Sequence, residues 1–343
     1  MGVDLSEIVP KETRLLKDFA GETIAIDAYN TIYQFLSIIR QPDGTPLMDS
    51  KRRVTSHLSG LLYRNINLLE AGIRPIYVFD GKPSELKRGT LEERAAVKER
   101  AGEEWARALA EGDIERARSK AQQTSRITQE MVEGSKRLLG LMGIPVVQAP
   151  SEGEAEASFM VQKGLASCVS SQDYDSLLFG SPSLVRNLTI TGRRKLPRKQ
   201  IYVNIEPELI SLPTVLSVLG VTREQLVDMA ILMGTDFNEG VKGIGPKKAL
   251  KLIKEHGNLE KVLEAKGFDV PGYYEIRKIF LEPAVEDPGE IKFGSPDVKG
   301  VVDMLCGEHD FSKERVEGPL TRLVEILDQR RKEGAQLRLD RWF

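Results

Sequence analysis

Pro150-Ser151-Glu152-Gly153-Glu154-Ala155-Glu156, followed by Ser170-Ser171-Gln172-Asp173-Tyr174-Asp175, is the stretch from which the fold is read. Ser151, directly after Pro150, is a good helix cap, which sets Glu152 at a helix entrance and Glu154 in the first turn, where negative charge meets unpaired amides. Ala166 to Ser171 reads as a short buried strand, and a backbone still extended through Gln172 sends Asp173 and Asp175 to the same side. Four carboxylates packed together repel and raise each other's pKa unless hard divalent cations neutralise them, and oxygen-only ligation suits Mg²⁺ or Mn²⁺. A single Glu-x-Glu is more often a solvated acidic turn; two further acids at a strand end favour a metal site.

Working outward, Thr23-Ile24-Ala25-Ile26 is a β-rich apolar run that stops at Asp27, and Ile76-Tyr77-Val78-Phe79 stops in the same way at Asp80-Gly81. Between them, Ser56 to Ala71 carries a helical apolar stripe through Leu58, Leu61, Leu62, Ile66 and Leu69. Met131 to Met142 reads as an amphipathic helix ended by Gly143, and Ile144 to Val147 as the strand that leads into the organising stretch. The alternation predicts an α/β fold with a mostly parallel central sheet flanked by helices. In such sheets ligands sit beyond the carboxyl ends of the strands, so Asp27 and Asp80 belong at the same edge as Asp173 and Asp175.

From Lys82 to Arg126 dense mixed charge with few large apolar residues implies helices that project into solvent. Lys87, Arg94 and Lys98 share a face of one continuous helix there, placed to meet phosphate near the Asp80 turn. Arg193-Arg194-Lys195 and Arg198-Lys199 form a basic turn, equally readable as a phosphate contact or an exposed hairpin tip. Glu224 to Met233 is a helix stopped by Gly234, with Asp236 just beyond. Val241-Lys242-Gly243-Ile244-Gly245-Pro246-Lys247-Lys248 then opens the next helix, a helix-hairpin-helix signature. Its glycines let backbone approach closely, amides at the helix start bind phosphate without reading bases, and its lysines add salt-dependent attraction.

The remaining features are less informative. The 343 residues carry a formal net charge of -2, which argues against a uniformly basic nucleic-acid binder. Cys168 and Cys306 lie too far apart in sequence to suggest a disulfide framework, and no apolar run is long enough to cross a bilayer. In the charged tail Gln336-Leu337-Arg338-Leu339-Asp340-Arg341-Trp342-Phe343, one side of a helical turn presents Leu339, Trp342 and Phe343, apolar surface that a partner would bury.

Together these blocks resemble the XPG-type 5′ nucleases, and within them the archaeal flap endonucleases. The resemblance runs through Met1-Gly2-Val3, Ile26-Asp27-Ala28, Val78-Phe79-Asp80-Gly81-Lys82-Pro83, Glu152 to Glu156, Gln172 to Asp175, Gly234-Thr235-Asp236-Phe237 and Gly243-Ile244-Gly245, essentially the whole chain. It implies a PIN-like 5′ nuclease fold with a nuclease region over residues 1–130 that includes a helical arch at 82–126. An intermediate nuclease region at 131–222, the helix-hairpin-helix at 223–260 and a C-terminal helical region at 261–333 follow. Residues 1–333 form one compact core, and 334–343 are a clamp-binding tail.

By the same resemblance, Asp27, Asp80, Glu152, Glu154, Asp173, Asp175 and Asp236 hold two Mg²⁺, with Mn²⁺ able to substitute. Lys87 and Arg94 act on the scissile phosphate, and Tyr33 stacks on DNA. Thr55 belongs to a pocket for a one-nucleotide 3′ flap. Arg64, Lys98, Lys242, Gly243, Gly245, Lys247 and Lys248 add DNA contacts, with K⁺ at the hairpin. Gln336, Leu339, Trp342 and Phe343 match the motif that binds the sliding clamp, PCNA.

The activity implied is a structure-specific 5′ flap endonuclease with associated 5′-3′ exonuclease action in Okazaki fragment maturation and DNA repair. A monomer is expected, in an archaeal cytoplasm, since eukaryotic relatives continue with a basic tail where this chain ends. The rivals are a non-catalytic DNA and clamp adaptor, which predicts binding without cleavage, and a Mg²⁺-dependent phosphatase, which leaves the hairpin and tail unexplained.

Overall fold

Ile76, Val78 and Phe79 are fully buried in the strand Arg74–Phe79, and at roughly 1.5–3 kcal/mol for each such side chain they lock this strand into the middle of the molecule. Asp80 follows directly, so its position is set by the core. A computed structural model describes residues 2–190, 193–195 and 202–339, with side chains except at 88, 91, 93, 193–195, 202–204 and 333–339.

The strands are β1 (Glu12–Thr13), β2 (Thr23–Asp27), β3 (Arg74–Phe79), β4 (Val146–Gln148), β5 (Cys168–Ser170), β6 (Ser183–Arg186), β7 (Arg193–Lys195), β8 (Tyr202–Asn204) and β9 (Glu208–Ser211). Seven of them form one sheet in the order β1-β9-β6-β5-β2-β3-β4, while β7 and β8 pair separately as an antiparallel hairpin. From β6 to β4 every pairing is parallel; β9 and β1 add an antiparallel edge. The mostly parallel sheet expected from the alternation is thus observed.

The helices are α1 (Ala28–Ile38), α2 (Ser56–Glu70), the mutually packed pair α3 (Arg88–Ala110) and α4 (Ile114–Ala121), then α5 (Gln129–Leu141), α6 (Gly153–Gln162) and α7 (Asp175–Leu178). They continue with α8 (Leu212–Leu219), α9 (Arg223–Met233), α10 (Pro246–His256), α11 (Leu259–Lys266), α12 (Tyr273–Leu281), α13 (Val298–Val302) and α14 (Lys313–Leu339). Side chains alternate across the sheet, so Ala25, Ile76, Val78 and Val169 face a core with α6 to α12. Ile24, Ile26, Tyr77 and Phe79 face a second core with α1, α2, α5, α13 and α14. No helix among the described residues is long and apolar enough to cross a membrane.

Chain order explains where a ligand can enter. From β2 the chain steps outward to β3 and β4, then returns across β2 to β5 and β6. The direction reverses between β2 and β5, and such a switch point opens a crevice beyond the strand ends. Asp27 closes β2, Asp173 follows β5, and Asp80 follows β3.

Two local expectations are corrected. The cap of α6 is Glu152, one residue beyond Ser151, and its side chain makes no cap bond. The helix start is instead satisfied from outside, by Asp80, whose Oδ1 accepts the Gly153 N–H at 2.7 Å. The backbone also does not stay extended to Asp175: β5 stops at Ser170, Tyr174 takes φ -93° and ψ 0°, and Asp175 begins α7.

Candidate active site

Each of the seven carboxylates is held by a group already present in the chain. Asp27 caps α1, with Oδ1 accepting the Asn30 N–H at 3.0 Å and Oδ2 facing the Ser171 hydroxyl at 3.4 Å. Asp173 accepts from Asn30 Nδ2 at 3.1 Å, and Asp175 from the Val3 N–H at 2.8 Å. Glu154 accepts the Ser176 hydroxyl at 2.8 Å. Lys87 donates to Glu152 and stands 3.7 Å from Asp236, to which Arg94 also donates. Glu156, the third acid of the motif, is separate: it is buried and accepts the Glu286 N–H at 3.0 Å.

Crowding shows in the ionisation of the group. Burial, reinforced by Asp80 and Asp173, pushes Asp27 up to about 8, and burial with Asp173 and Asp236 pushes Asp175 up to about 7. Glu154 is raised well above its ordinary value by burial and by Asp175, Asp27 and Asp173. Asp80, Glu152 and Asp173 are raised chiefly by burial. Asp236 alone is lowered, because Arg94 and Lys87 outweigh its burial. Burial opposes the charge of Lys87, but Glu152, Asp236 and Asp80 outweigh it and hold its pKa above the ordinary value.

Seven carboxylates against two cations leave an excess of negative charge that hard, oxygen-seeking cations satisfy. The donor set therefore fits divalent metal. Among the described residues no three of these acids are already closed around one point as a ligand cage. Glu152 and Asp236 instead have oxygens engaged by Lys87 and Arg94.

The segment expected to form an arch begins with the 3₁₀ turn Glu85–Lys87 and continues as α3, so Lys87 lies at the junction rather than inside one continuous helix. Lys87 and Arg94 still converge on one carboxylate, Asp236. Lys98 lies 5.1 Å over the Tyr33 ring, which joins two of the expected DNA contacts at the cleft. Trp105 ties α3 to the body by donating to the Asp43 carbonyl at 3.2 Å.

At the hairpin Gly243 has φ +81°, accessible without strain only to glycine, and a Cβ at Gly243 or Gly245 would meet nothing within 4 Å. No side chain caps α10 at Gly245, which leaves its first amides available. Lys242 is exposed, Lys247 pairs with Glu7 at 3.1 Å, and Lys248 donates to the Gly243 carbonyl at 2.9 Å.

Other expected contacts fare differently. Arg64 is corrected: it is buried and donates to the carbonyls of Leu188 and Ile190, the latter at 2.9 Å, so it does not face a DNA strand. Thr55 is also buried, its N–H donating to the Leu47 carbonyl at 2.8 Å beside exposed Lys51 and Arg52. The side chains of Gln336 and Leu339, and all of Trp342 and Phe343, lie outside the described residues, as do Arg198 and Lys199.

Sequence reasoning passed over Asn30, Ser171, Ser176 and Val3. Asn30 alone had a signal: it lies three residues after a strand-end Asp, the spacing at which a cap and its amide meet.

Residues 2–101 match the XPG N-terminal domain and residues 143–236 the XPG I-region. The chain is 53% identical to flap endonuclease 1 of Methanococcoides burtonii over 343 residues, covering 100% of both proteins. The chain belongs to the flap endonuclease family. Flap endonuclease 1 of Pyrococcus furiosus is 54% identical over 345 residues, with 100% of this chain and 99% of the relative aligned. The solved flap endonuclease-1 from Methanococcus jannaschii superposes with a TM-score of 0.76 at 42% identity, covering 96% of this chain and 100% of that one. Family membership makes the chain a nuclease, a hydrolase of DNA phosphodiester bonds, and the resemblance seen in the sequence blocks holds over their full length.

Proposed function

We propose that this flap endonuclease cuts branched DNA once, at the junction of a 5′ flap, using two Mg²⁺ held by Asp27, Asp80, Glu152, Glu154, Asp173, Asp175 and Asp236, with Mn²⁺ able to replace them. The single observation that carries the reading is the gathering of those acids at the sheet switch point beneath Lys87 and Arg94. Bound metal would supply a hydroxide from water and electrophilic stabilisation of the phosphate.

The chain's own groups do the rest. Lys87 and Arg94 exchange their carboxylate partners for the scissile phosphate and offset the charge that develops on it. Tyr33, braced by Lys98, offers a ring face on which an unpaired base stacks. The free amides at the start of α10, with Gly243, Gly245 and the nearby lysines, take a duplex phosphate, aided by K⁺. These contacts address backbone and shape, so base sequence matters little. The Thr55 region receives a one-nucleotide 3′ flap. Residues 336–343 bind the sliding clamp, placing a monomeric enzyme at cytoplasmic replication forks, where flap removal and 5′-3′ exonuclease trimming serve Okazaki fragment maturation and repair.

The test is a panel of end-labelled DNAs in Mg²⁺: double flap, gapped duplex, blunt duplex and single strand. One dominant cut at the junction of the double flap, insensitive to flanking sequence, is expected. Equal cutting of single-stranded DNA at many positions would contradict it.

A further inference from the structure

Asn30 is the only described side chain that donates to one of the carboxylates from the α1 side while its own backbone N–H serves another: its N–H goes to Asp27 and its Nδ2 to Asp173. An amide can do this only if it is turned the right way, since its oxygen would repel Asp173. The orientation is set by Gln34, one turn along α1, whose Nε2 donates to Asn30 Oδ1 at 2.6 Å. Gln34 is fixed in turn by the Thr189 hydroxyl, which donates to Gln34 Oε1 at 3.3 Å.

Thr189 lies in the segment that follows β6, 155 residues from Gln34. It is buried, and the carbonyls on either side of it, at Leu188 and Ile190, both accept from the buried guanidinium of Arg64. Each link of the series pairs a donor with an acceptor: Arg64 Nη2 to the two carbonyls, the Thr189 hydroxyl to the Gln34 amide oxygen, Gln34 Nε2 to the Asn30 amide oxygen, and Asn30 Nδ2 to the Asp173 carboxylate, while Nε and Nη1 of Arg64 are buried without a partner. Side chains behind metal-binding groups commonly tune affinity in this way.

We infer that Thr189, Gln34 and Asn30 form a positioning relay, anchored by Arg64, which orients Asp173 and Asp27 for divalent metal. The relay rests on the reading of those aspartates as metal-holding groups. Arg64 thus serves the site through the β6 segment instead of through DNA. In this role the relay residues act through the two aspartates.

The experiment is calorimetric titration of Mn²⁺ into the DNA-free protein, which needs no turnover, with metal-free melting to check the fold. Asn30→Ala is expected to weaken Mn²⁺ binding about 10- to 100-fold, the range for loss of a group behind a metal-binding residue. Thr189→Val, nearly isosteric, is expected to weaken it about fivefold in the otherwise wild-type chain and to change nothing in a Gln34→Leu background, since the link is already cut. Equal effects of Thr189→Val in both backgrounds, or none in the wild-type chain, would overturn the relay. Asp173→Asn separates the two claims: if it leaves Mn²⁺ affinity unchanged, the carboxylate reading itself is overturned, and the relay with it. If it weakens Mn²⁺ while Thr189→Val and Asn30→Ala do not, only the relay falls.

Discussion

Gly153→Ala puts a methyl group into the contact that joins two arms of the site. A Cβ there would lie 2.7 Å from Asp80 Oδ1, where ordinary contact begins at 3.4 Å, so the carboxylate must recede by about 0.7 Å. The backbone cannot give way easily, because Gly81 on the same turn is clamped: its N–H donates to the Ser151 carbonyl at 2.6 Å. Asp80 would therefore turn about its own side-chain bonds and weaken its bond to the Gly153 N–H, worth about 1.5–3 kcal/mol for a charged acceptor. A misplacement of about 1 Å in a catalytic assembly costs roughly 10²-fold in rate, so single-turnover cleavage of a double-flap DNA in saturating Mg²⁺ should slow by about 10- to 100-fold. Thermal melting in the absence of metal should move little, since moving Asp80 away from Asp27 relieves repulsion. In an Asp80→Asn background the same substitution should add almost nothing. A Gly153→Ala rate within about twofold of wild type, in a folded protein, would refute the coupling of these two arms.

Three further outcomes follow from the same geometry. Asp27 and Asp175 have folded pKa values near 8 and 7 against an ordinary 3.8, so the folded state holds protons that the unfolded state releases. Metal-free stability should therefore fall as pH rises from about 4 to about 8, and saturating Mg²⁺ should flatten that slope in melting curves. Arg94→Met should lower single-turnover cleavage about 10²- to 10³-fold with flap binding largely kept; equal losses in rate and binding would point to a DNA-anchoring role. Arg277 neutralises buried Asp228 at 2.7 Å and pairs with Glu260 at 2.6 Å. Arg277→Met leaves a buried charge and should cost about 3–5 kcal/mol in denaturant unfolding, with cleavage by the remaining folded protein unchanged.

Asp27 and Asp80 were legible in the sequence because each ends an apolar run, and a parallel sheet gathers such ends at one edge. Glu152, Glu154, Asp173 and Asp175 were legible as a group, although the backbone after Ser170 turns into α7 where an extended run was expected. The turn was hidden because Tyr174, which makes it, is buried by tertiary contacts. The antiparallel edge was not read: Glu12–Thr13, Ser183–Arg186 and Glu208–Ser211 are two to four residues long and mix polar with apolar positions. Val3 and Asn30 escaped for another reason, since their bonds to Asp175 and Asp173 span 172 and 143 residues and only the closed fold creates them. Arg64 illustrates how charge misleads. It lies one turn from Gly60 and Leu68, both buried, so its place on α2 points inward whatever its charge.

The most direct measurement compares wild type with Asp175→Ala on an end-labelled double-flap DNA, in Mg²⁺ and in EDTA, with binding of the same DNA followed in parallel. Asp175 is buried, is fixed by the Val3 N–H and has its pKa raised by Asp173 and Asp236 in addition to burial, so its loss removes charge from the centre of the cluster. The account predicts one Mg²⁺-dependent cut near the flap junction by wild type, and a variant that binds the flap but barely cuts it. Cleavage by Asp175→Ala at the wild-type rate, or a wild-type protein that binds the flap and leaves it intact under every divalent metal, would contradict it.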